Sequence, residues 1–331
     1  MATIKDIAKK AGVTPSVVSR ALNQKYGVKE TTRQLIFKIA EEFHYYPNAA
    51  ARSLVTRKTD SIGISMADIS QPYYSQIIKG LEYVASQTGY TLLFSNSFES
   101  LEHEDIFRKM VSAERVDGLI IFGSNIKDKT FISFLSKRSF PFVLVERNFF
   151  DPRINCIWID NIQGSYLATK YLIKRGHRRI GHISGNLDFQ VALDRLEGYK
   201  KALYEHHLPF SEEMVAHGKF LWQDGYTAMK ELLCYKPQCT AVFVANDTMA
   251  YGALQALHES RIKIPDDFAI IGYDDLEFST LTNPPLTTVR QPRYEMGLKA
   301  METLIKILHM ENSGVATKIN LTPELMIRSS A

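Results

Sequence analysis

The sequence predicts an α/β protein in two parts: a small all-α N-terminal domain and a large core of two similar α/β subdomains. Residues 3–46 contain short amphipathic helical runs, whereas from Ser61 onward short apolar runs alternate with amphipathic helices. Charge divides the chain at the same place. Residues 1–60 hold 11 Lys and Arg against 5 Asp and Glu, and the remainder holds 29 against 31. A basic module joined to a mildly acidic one indicates that the first part binds a polyanion, although a solvated basic surface would carry the same charge.

Two short helices open the chain. Thr3 can cap the first, and Gly12 suits the turn that ends it. The apolar positions of this helix repeat at i, i+3, i+4 and i+7 and are Ile4, Ile7, Ala8 and Ala11. Thr14 is a good N-cap and Pro15 fits the first helical position, so a second helix starts there. Its inward residues are Val18, Ala21 and Leu22.

The outward face of the second helix is small, polar and cationic. It holds Ser16, Ser19 and Arg20, with Val17 at its border. Short side chains allow close approach to another surface, an arginine can reach guanine O6 and N7, and a valine can contact a thymine methyl. This pattern predicts a helix-turn-helix that reads the major groove of DNA. A third helix would complete its core with the stripe Leu35, Ile36, Ile39, Ala40 and Phe43.

The stretch "YYPNAAARSLVTRKT", residues 45–59, predicts a short helix followed by a linker. Pro47 ends the third helix and Asn48 can cap a new one of about two turns, which is marginal alone in water. It could fold on binding DNA, where Leu54 beside Arg52 would be an apolar wedge in the minor groove.

From Ser61 the chain has the βαβ rhythm of a parallel sheet covered on both faces. "SIGISMA", "TLLFSNS", "GLIIFG" and "FVLVER" predict strands, with helices at 73–88, 102–114 and 129–137 between them. The pattern restarts with "CIWID", "HRRIGHIS", "MVAHG", "AVFVAN" and "FAIIGYDD". Two sets of strands indicate two similar subdomains.

"IKDIAKKAGVTPSVVSRALN" (4–23), "YYPNAAARSL" (45–54) and the core together resemble the lactose-repressor (LacI/GalR) family of bacterial transcription regulators, essentially from end to end. The resemblance implies a helix-turn-helix domain at 1–46, a hinge helix and linker at 47–60, and an effector-binding core at 61–331. That core would consist of periplasmic-binding-protein-like halves, the first about 61–160 and 291–320 and the second about 161–290 and 321–331. The implied partners are palindromic double-stranded operator DNA, a small-molecule effector and a second copy of the chain.

By position in the family, Pro15, Ser16 and Arg20 read bases, and Leu54 matches the leucine that enters the minor groove. Pro15 departs from the family because it has no hydrogen-bonding side chain, so its contact must be apolar or by shape. The residues predicted to contact DNA are Thr14, Pro15, Ser16, Val17, Arg20, Asn48, Arg52 and Leu54.

Ligands of open α/β sheets bind beyond the carboxyl ends of the strands. Aromatic, amide, carboxylate and arginine side chains follow these ends, as a sugar site needs. The predicted effector residues, several by family position, are Tyr73, Tyr74, Glu146, Arg195, Phe220, Asn246, Asp274 and Gln291. Tyr74 is equally consistent with packing, and Trp222, Asp247 and Asp275 with helix capping at the surface. The set favours a sugar; a nucleobase corepressor or a protein co-regulator is the alternative.

Other functions lack their signatures. The sequence contains no GxSxG, GxxxxGK[ST], HExxH or GxGxxG motif, so we expect no enzyme and no cofactor. Cys156, Cys234 and Cys239 show no CxxC spacing, and no metal site is expected. A sugar-binding transport receptor would need a secretion signal and no helix-turn-helix. We expect a cytoplasmic protein without a membrane partner, and a dimer because no leucine heptads close the sequence.

Overall fold

The structure, a computed structural model, describes residues 2–23, 26–45, 58–96, 101–123, 129–235, 238–310 and 315–331. The chain divides into two compact units, Met1–Thr59 and Asp60–Ala331. No helix in these described ranges has the length and apolar character needed to cross a membrane.

The first unit contains three helices in its described part: α1 (Ile4–Ala11), α2 (Pro15–Leu22) and α3 (Glu30–Glu42). Helix α1 begins with a capping box, because Thr3 N donates to Asp6 Oδ2 over 2.8 Å and Asp6 N donates to Thr3 Oγ1 over 3.4 Å. It ends at Gly12, whose φ of 65° is left-handed and suits glycine. These local interactions set the turn that leads to α2.

A small apolar core joins the three helices. Its buried members are Ile7, Ala8, Val18, Ala21, Ile36, Ile39 and Ala40. The prediction that Leu35 belongs to this core was wrong, because its side chain is 46% exposed. Leu35 lies one residue, about 100° of helical rotation, from the stripe that starts at Ile36. The stripe on α3 is therefore narrower than the sequence suggests.

The second unit is built from twelve strands and eight α-helices among its described residues. The strands are β1 (Ser61–Met66), β2 (Thr91–Asn96), β3 (Gly118–Phe122), β4 (Phe142–Val145), β5 (Cys156–Ile159), β6 (Ile180–Ser184), β7 (Val215–His217), β8 (Ala241–Val244), β9 (Ala269–Asp274), β10 (Thr287–Arg290), β11 (Lys318–Leu321) and β12 (Glu324–Met326). The helices are α4 (Tyr74–Thr88), α5 (Leu101–Ser112), α6 (Lys129–Lys137), α7 (Asn161–Lys174), α8 (Gln190–Glu205), α9 (Trp222–Cys234), α10 (Asp247–Glu259) and α11 (Arg293–Leu308).

These strands form two six-stranded sheets, one for each subdomain. The first has the order β11-β5-β4-β3-β1-β2 and is parallel throughout. The second has the order β12-β10-β9-β8-β6-β7, with β12 antiparallel to β10. The chain passes between the sheets three times: between β5 and β6, between β10 and β11, and between β11 and β12. The fold is a helix-turn-helix domain followed by a periplasmic-binding-like core of two subdomains.

The sequence pattern misplaced one strand, and it did not include β10 or β11. "CIWID" was expected to open the second set of strands, but β5 belongs to the first sheet, between β4 and β11. Strands β10 and β11 were not predicted, because each has only four residues and both contain polar side chains. Their partners, Ile271 for Thr287 and Cys156 for Lys318, are far away in sequence.

Two glycines let α4 and α11 pack closely. A Cβ atom added at Gly80 would lie 2.2 Å from the Tyr294 carbonyl oxygen, and one at Gly297 would lie 2.1 Å from the Ile77 carbonyl oxygen. Real Cβ atoms do not approach backbone so closely, so only glycine permits this contact. The close packing places the first turns of α4 and α11 side by side near the ends of β1 and β10.

Candidate functional site

The outward face of α2 is exposed as the DNA-reading prediction requires. Thr14, Pro15, Ser16 and Arg20 are exposed, while Val17 is half-buried against the core of the first unit. Thr14 occupies the N-cap position, but its hydroxyl lies 2.9 Å from that of Ser16 instead of capping the helix. Among the described residues, the hydrogen bond that Arg20 makes is a long 3.4 Å contact with the Ser16 carbonyl oxygen. Its guanidinium is therefore available for another partner.

Three of the predicted DNA contacts, Asn48, Arg52 and Leu54, lie outside the described residues. The hinge helix to which they were assigned lies there too. The part of the predicted DNA-reading site that the structure describes consists of α2 and the residues that precede it.

In the core, predicted effector residues from both subdomains meet at the carboxyl ends of the strands. The Tyr73 hydroxyl, from the first subdomain, donates to Gln291 Oε1 over 3.4 Å, and it interacts electrostatically with the Glu146 carboxylate. Gln291 lies in the second passage between the sheets, and its Nε2 donates to Asp274 Oδ1 over 2.5 Å. The Asp274 carboxylate lies 3.8 Å from Arg195 Nη1. We name Tyr73, Glu146, Arg195, Asp274 and Gln291 the cleft cluster.

The Arg195 guanidinium is held rigidly in this cluster. Its Nε donates to Asn161 Oδ1 over 2.8 Å and its Nη1 donates to the Ala245 carbonyl oxygen over 2.6 Å. The Tyr273 ring lies beneath it, with 3.9 Å between Cζ and the ring centroid, in a cation–π contact. Because a guanidinium has five N–H donors, these two hydrogen bonds leave donors for a ligand.

Burial shifts the protonation of the acidic members of the cluster. It raises the pKa of Glu146 to about 7, opposed by the Tyr73 hydrogen bond and the Arg195 charge. Burial also raises the pKa of Asp274, opposed first by Arg195 and then by Arg293. Near neutral pH the cluster therefore presents a cation, two carboxyl groups whose protonated forms are favoured by burial, and an amide. Such a set can both donate and accept hydrogen bonds.

Phe220 and Asn246 lie next to each other in the second subdomain. Asn246 Nδ2 donates to the Phe220 carbonyl oxygen over 3.2 Å, and its Oδ1 accepts from Met249 N over 3.0 Å, which caps α10. The Phe220 ring covers Gly185, where an added Cβ would lie 2.0 Å from Cζ. The structure thus brings Phe220 and Asn246 into contact with each other, and it gives no contact between either one and the cleft cluster.

Tyr74 is part of the hydrophobic core of the first subdomain. Only 5% of it is exposed, and its ring makes edge contacts with Tyr73 at 5.1 Å and Phe122 at 6.0 Å between centroids. This placement matches the packing interpretation that the sequence left open.

The sequence analysis left two acids, Asp247 and Asp275, open to interpretation as surface helix caps, and it did not single out the amide of Asn161. Asp247 is fully buried and accepts hydrogen bonds from Leu276 N, Ser279 Oγ and Thr288 Oγ1, so it pins the segment after β9. Asp275 is paired with Arg290 and Arg328. Neither acid is a surface cap. Asn161 is not among the predicted residues, although its place at the start of α7, two residues after the end of β5, is a signal that the strand-end rule could have found.

The described residues contain no group of three or more His, Cys, Asp or Glu arranged to hold a metal ion. The cleft cluster instead combines donors and acceptors suited to an uncharged polar organic molecule. The cleft cluster contains residues of two subdomains, and the three-helix unit presents a polar helix face suited to reading DNA. These two features together are those of a ligand-responsive DNA-binding regulator.

Comparison with known proteins agrees with this class. The family described as bacterial regulatory proteins of the lacI family matches residues 3–48, and a periplasmic binding protein-like domain matches residues 169–331. The transcriptional repressor PurR of Haemophilus influenzae (strain PittEE) is 37% identical over 334 residues, covering 100% of this chain and 98% of the relative. PurR of Edwardsiella ictaluri is 36% identical over 335 residues, covering 100% of this chain and 97% of the relative.

Solved structures are similar over the whole length. The lac repressor dimer bound to operator and the anti-inducer ONPF has a TM-score of 0.89 at 27% identity, covering 99% of this chain and 98% of that one. The transcriptional regulator CelR in complex with cellobiose has a TM-score of 0.78 at 30% identity, covering 100% of both chains. The chain belongs to the LacI family of bacterial regulatory proteins, and it is a DNA-binding transcriptional repressor.

Proposed function

We propose that a small molecule bound at the cleft cluster controls the binding of a homodimer to a palindromic operator. The observation that carries this proposal is the convergence of Tyr73, Glu146, Arg195, Asp274 and Gln291 from both subdomains and from the segment between them. A ligand that contacts both sides favours one arrangement of the subdomains, and this shifts the equilibrium at a second site. The protein acts by binding rather than catalysis, in the cytoplasm where its DNA lies.

On the DNA side, Thr14, Pro15, Ser16 and Arg20 would face the major groove, with Val17 at the border of the contact. A dimer would place two such helices one turn of DNA apart, on a palindrome. The similarity to a lac repressor dimer bound to operator supports both points.

For the ligand, the nucleobase alternative is better supported than the sugar favoured from the sequence. The whole-length relatives are repressors named PurR, and this name favours a nucleobase-type corepressor. The cluster is compatible with such a ligand, because a partly protonated Glu146 can donate, an ionised Asp274 can accept and the Gln291 amide can do both. These groups complement the mixed donor and acceptor edge of a base.

A sugar is the second candidate, because two similar solved structures contain one. They are CelR with cellobiose, described above, and a LacI-family regulator from Enterococcus faecium with bound ribose, which has a TM-score of 0.73 at 27% identity. The Tyr73 ring and the planar polar groups of the cluster would suit stacking against a sugar and pairing with its hydroxyls.

Thermal unfolding of the purified protein with nucleobases, mono- and disaccharides and sugar phosphates tests the ligand class. A ligand at about 100 times its Kd adds roughly 2.7 kcal/mol to the free energy of unfolding. A nucleobase that raises Tm, and that raises affinity for operator sequences selected from random DNA, supports the corepressor proposal. If a sugar raises Tm instead, the second candidate replaces the corepressor proposal. A ligand that still raises the Tm of an Arg195→Ala, Asp274→Ala double variant would bind outside the cleft cluster.

A further inference from the structure

Asn161 connects the cleft cluster to the first passage between the two sheets. It is the first residue of α7, separated from the end of β5 by Asp160, and only 3% of it is exposed. Its Nδ2 donates to the Ile159 carbonyl oxygen over 3.2 Å, at the end of β5 in the first sheet. Its Oδ1 accepts from Arg195 Nε over 2.8 Å, on α8 of the second subdomain. One amide therefore bridges both subdomains at the strand ends.

The orientation of this amide is determined by its surroundings. The preceding residue, Asp160, caps α7 by accepting from Gln163 N over 2.8 Å, so Asn161 is not required as a cap. Since Nδ2 is engaged by a carbonyl oxygen, Oδ1 is the atom left for the guanidinium. The Arg195 side chain is itself 5% exposed, and a buried cation needs such fixed acceptors.

We infer that Asn161 is a positioning residue for the effector site. Its hydrogen bond to Nε holds the Arg195 guanidinium beside the first passage between the subdomains, in the orientation in which the guanidinium contacts the ligand. This inference rests on the proposed function in one respect, namely that the ligand contacts Arg195. Asn161 itself need not touch the ligand. The carbonyl oxygen of Ala245 and the ring of Tyr273 fix the remaining sides of the same guanidinium.

The first measurement needs no ligand. In protein labelled with ¹⁵N-arginine, the NMR signal of the Arg195 Nε–H group is assigned by its loss in Arg195→Lys. The hydrogen of this group should exchange slowly with water in the wild type. In Asn161→Ala its exchange should be faster by at least about 10-fold, because the acceptor that the described residues give this hydrogen is gone. Asn161→Asp keeps an acceptor oxygen and should restore slow exchange. Asn320→Ala, at an exposed asparagine of β11, is the matched control and should leave the signal unchanged.

The second measurement uses hypoxanthine and cellobiose as probes in titration calorimetry. Whichever binds the wild type should bind Asn161→Ala on the order of 10- to 100-fold more weakly and Asn161→Asp with most of its affinity restored. Thermal unfolding checks that each variant is folded. If Asn161→Ala does not fold, Asn161→Ser replaces it, because the shorter hydroxyl does not reach Nε.

The outcomes separate the two proposals. If neither probe binds the wild type, the proposed ligand classes fail, and the exchange experiment still decides the role of Asn161. Equal exchange rates for the Arg195 Nε–H in the wild type and in Asn161→Ala would overturn the positioning role. So would an affinity loss in Asn161→Asp as large as that in Asn161→Ala, since it would trace the effect to something other than the acceptor.

Discussion

Replacement of Glu146 by glutamine should stabilise the protein at pH 8 and leave its stability nearly unchanged at pH 4. Burial raises the pKa of this carboxyl from 4.5 to about 7. Between these values the folded protein holds the proton more tightly than the unfolded chain, so the free energy of unfolding falls as pH rises. One pKa unit corresponds to about 1.36 kcal/mol, and the full effect above pH 7 is therefore roughly 3 kcal/mol. Glutamine is free of this cost and keeps an acceptor for the Tyr73 hydroxyl.

Urea unfolding of the wild type and Glu146→Gln at pH 4, 5, 6, 7 and 8 measures the difference directly. The other buried acids titrate in both proteins, so their contributions largely cancel when the two curves are subtracted. Glu197→Gln, at an exposed glutamate of α8, provides the control and should follow the wild type at every pH. Parallel curves for the wild type and Glu146→Gln would refute the assignment of a buried, proton-binding carboxyl to Glu146.

Three further substitutions test the two sites. Arg20→Ala should abolish preference for the selected operator while retaining most of the salt-sensitive affinity for random DNA; an unchanged preference in gel-shift competition would remove Arg20 from base reading. Asp274→Asn should weaken ligand binding by about 10-fold or more, because a charged acceptor is lost, and calorimetry that finds wild-type affinity would show that the ligand lies elsewhere. Gly185→Ala should displace the Phe220 ring and lower stability by about 1–3 kcal/mol; an unchanged Tm would contradict the contact.

The first helices were predictable because their determinants are local. Thr3, Gly12 and Pro15 act within one turn of their own positions, and the structure has α1 and α2 where these residues indicate. Leu35 shows the limit of the same method: a run of apolar residues does not say which edge of the stripe reaches the core. That depends on how α3 packs against α1 and α2.

The site was predictable to the extent that it follows from topology. Parallel strands bring their carboxyl ends together, so polar residues after β1, β4 and β9 were expected to meet, and the structure joins Tyr73, Glu146 and Asp274 through shared neighbours. The supporting residues were not predictable in this way. Asp247 depends on hydrogen-bond donors 29 to 41 residues away, and nothing local distinguishes it from a surface cap.

Two of the three passages between the subdomains supply a polar side chain that contacts Asp274, at the end of β9, or Arg195 beside it. Asn161, after the first, holds Arg195; Gln291, in the second, donates to Asp274. Arg328, beyond the third, pairs with Asp275, the neighbour of Asp274 in sequence. A ligand that changes the position of the Asp274 and Arg195 side chains would therefore act on the first two connections at once. Under the proposed function, a few contacts in the cleft would in this way select one arrangement of the two subdomains.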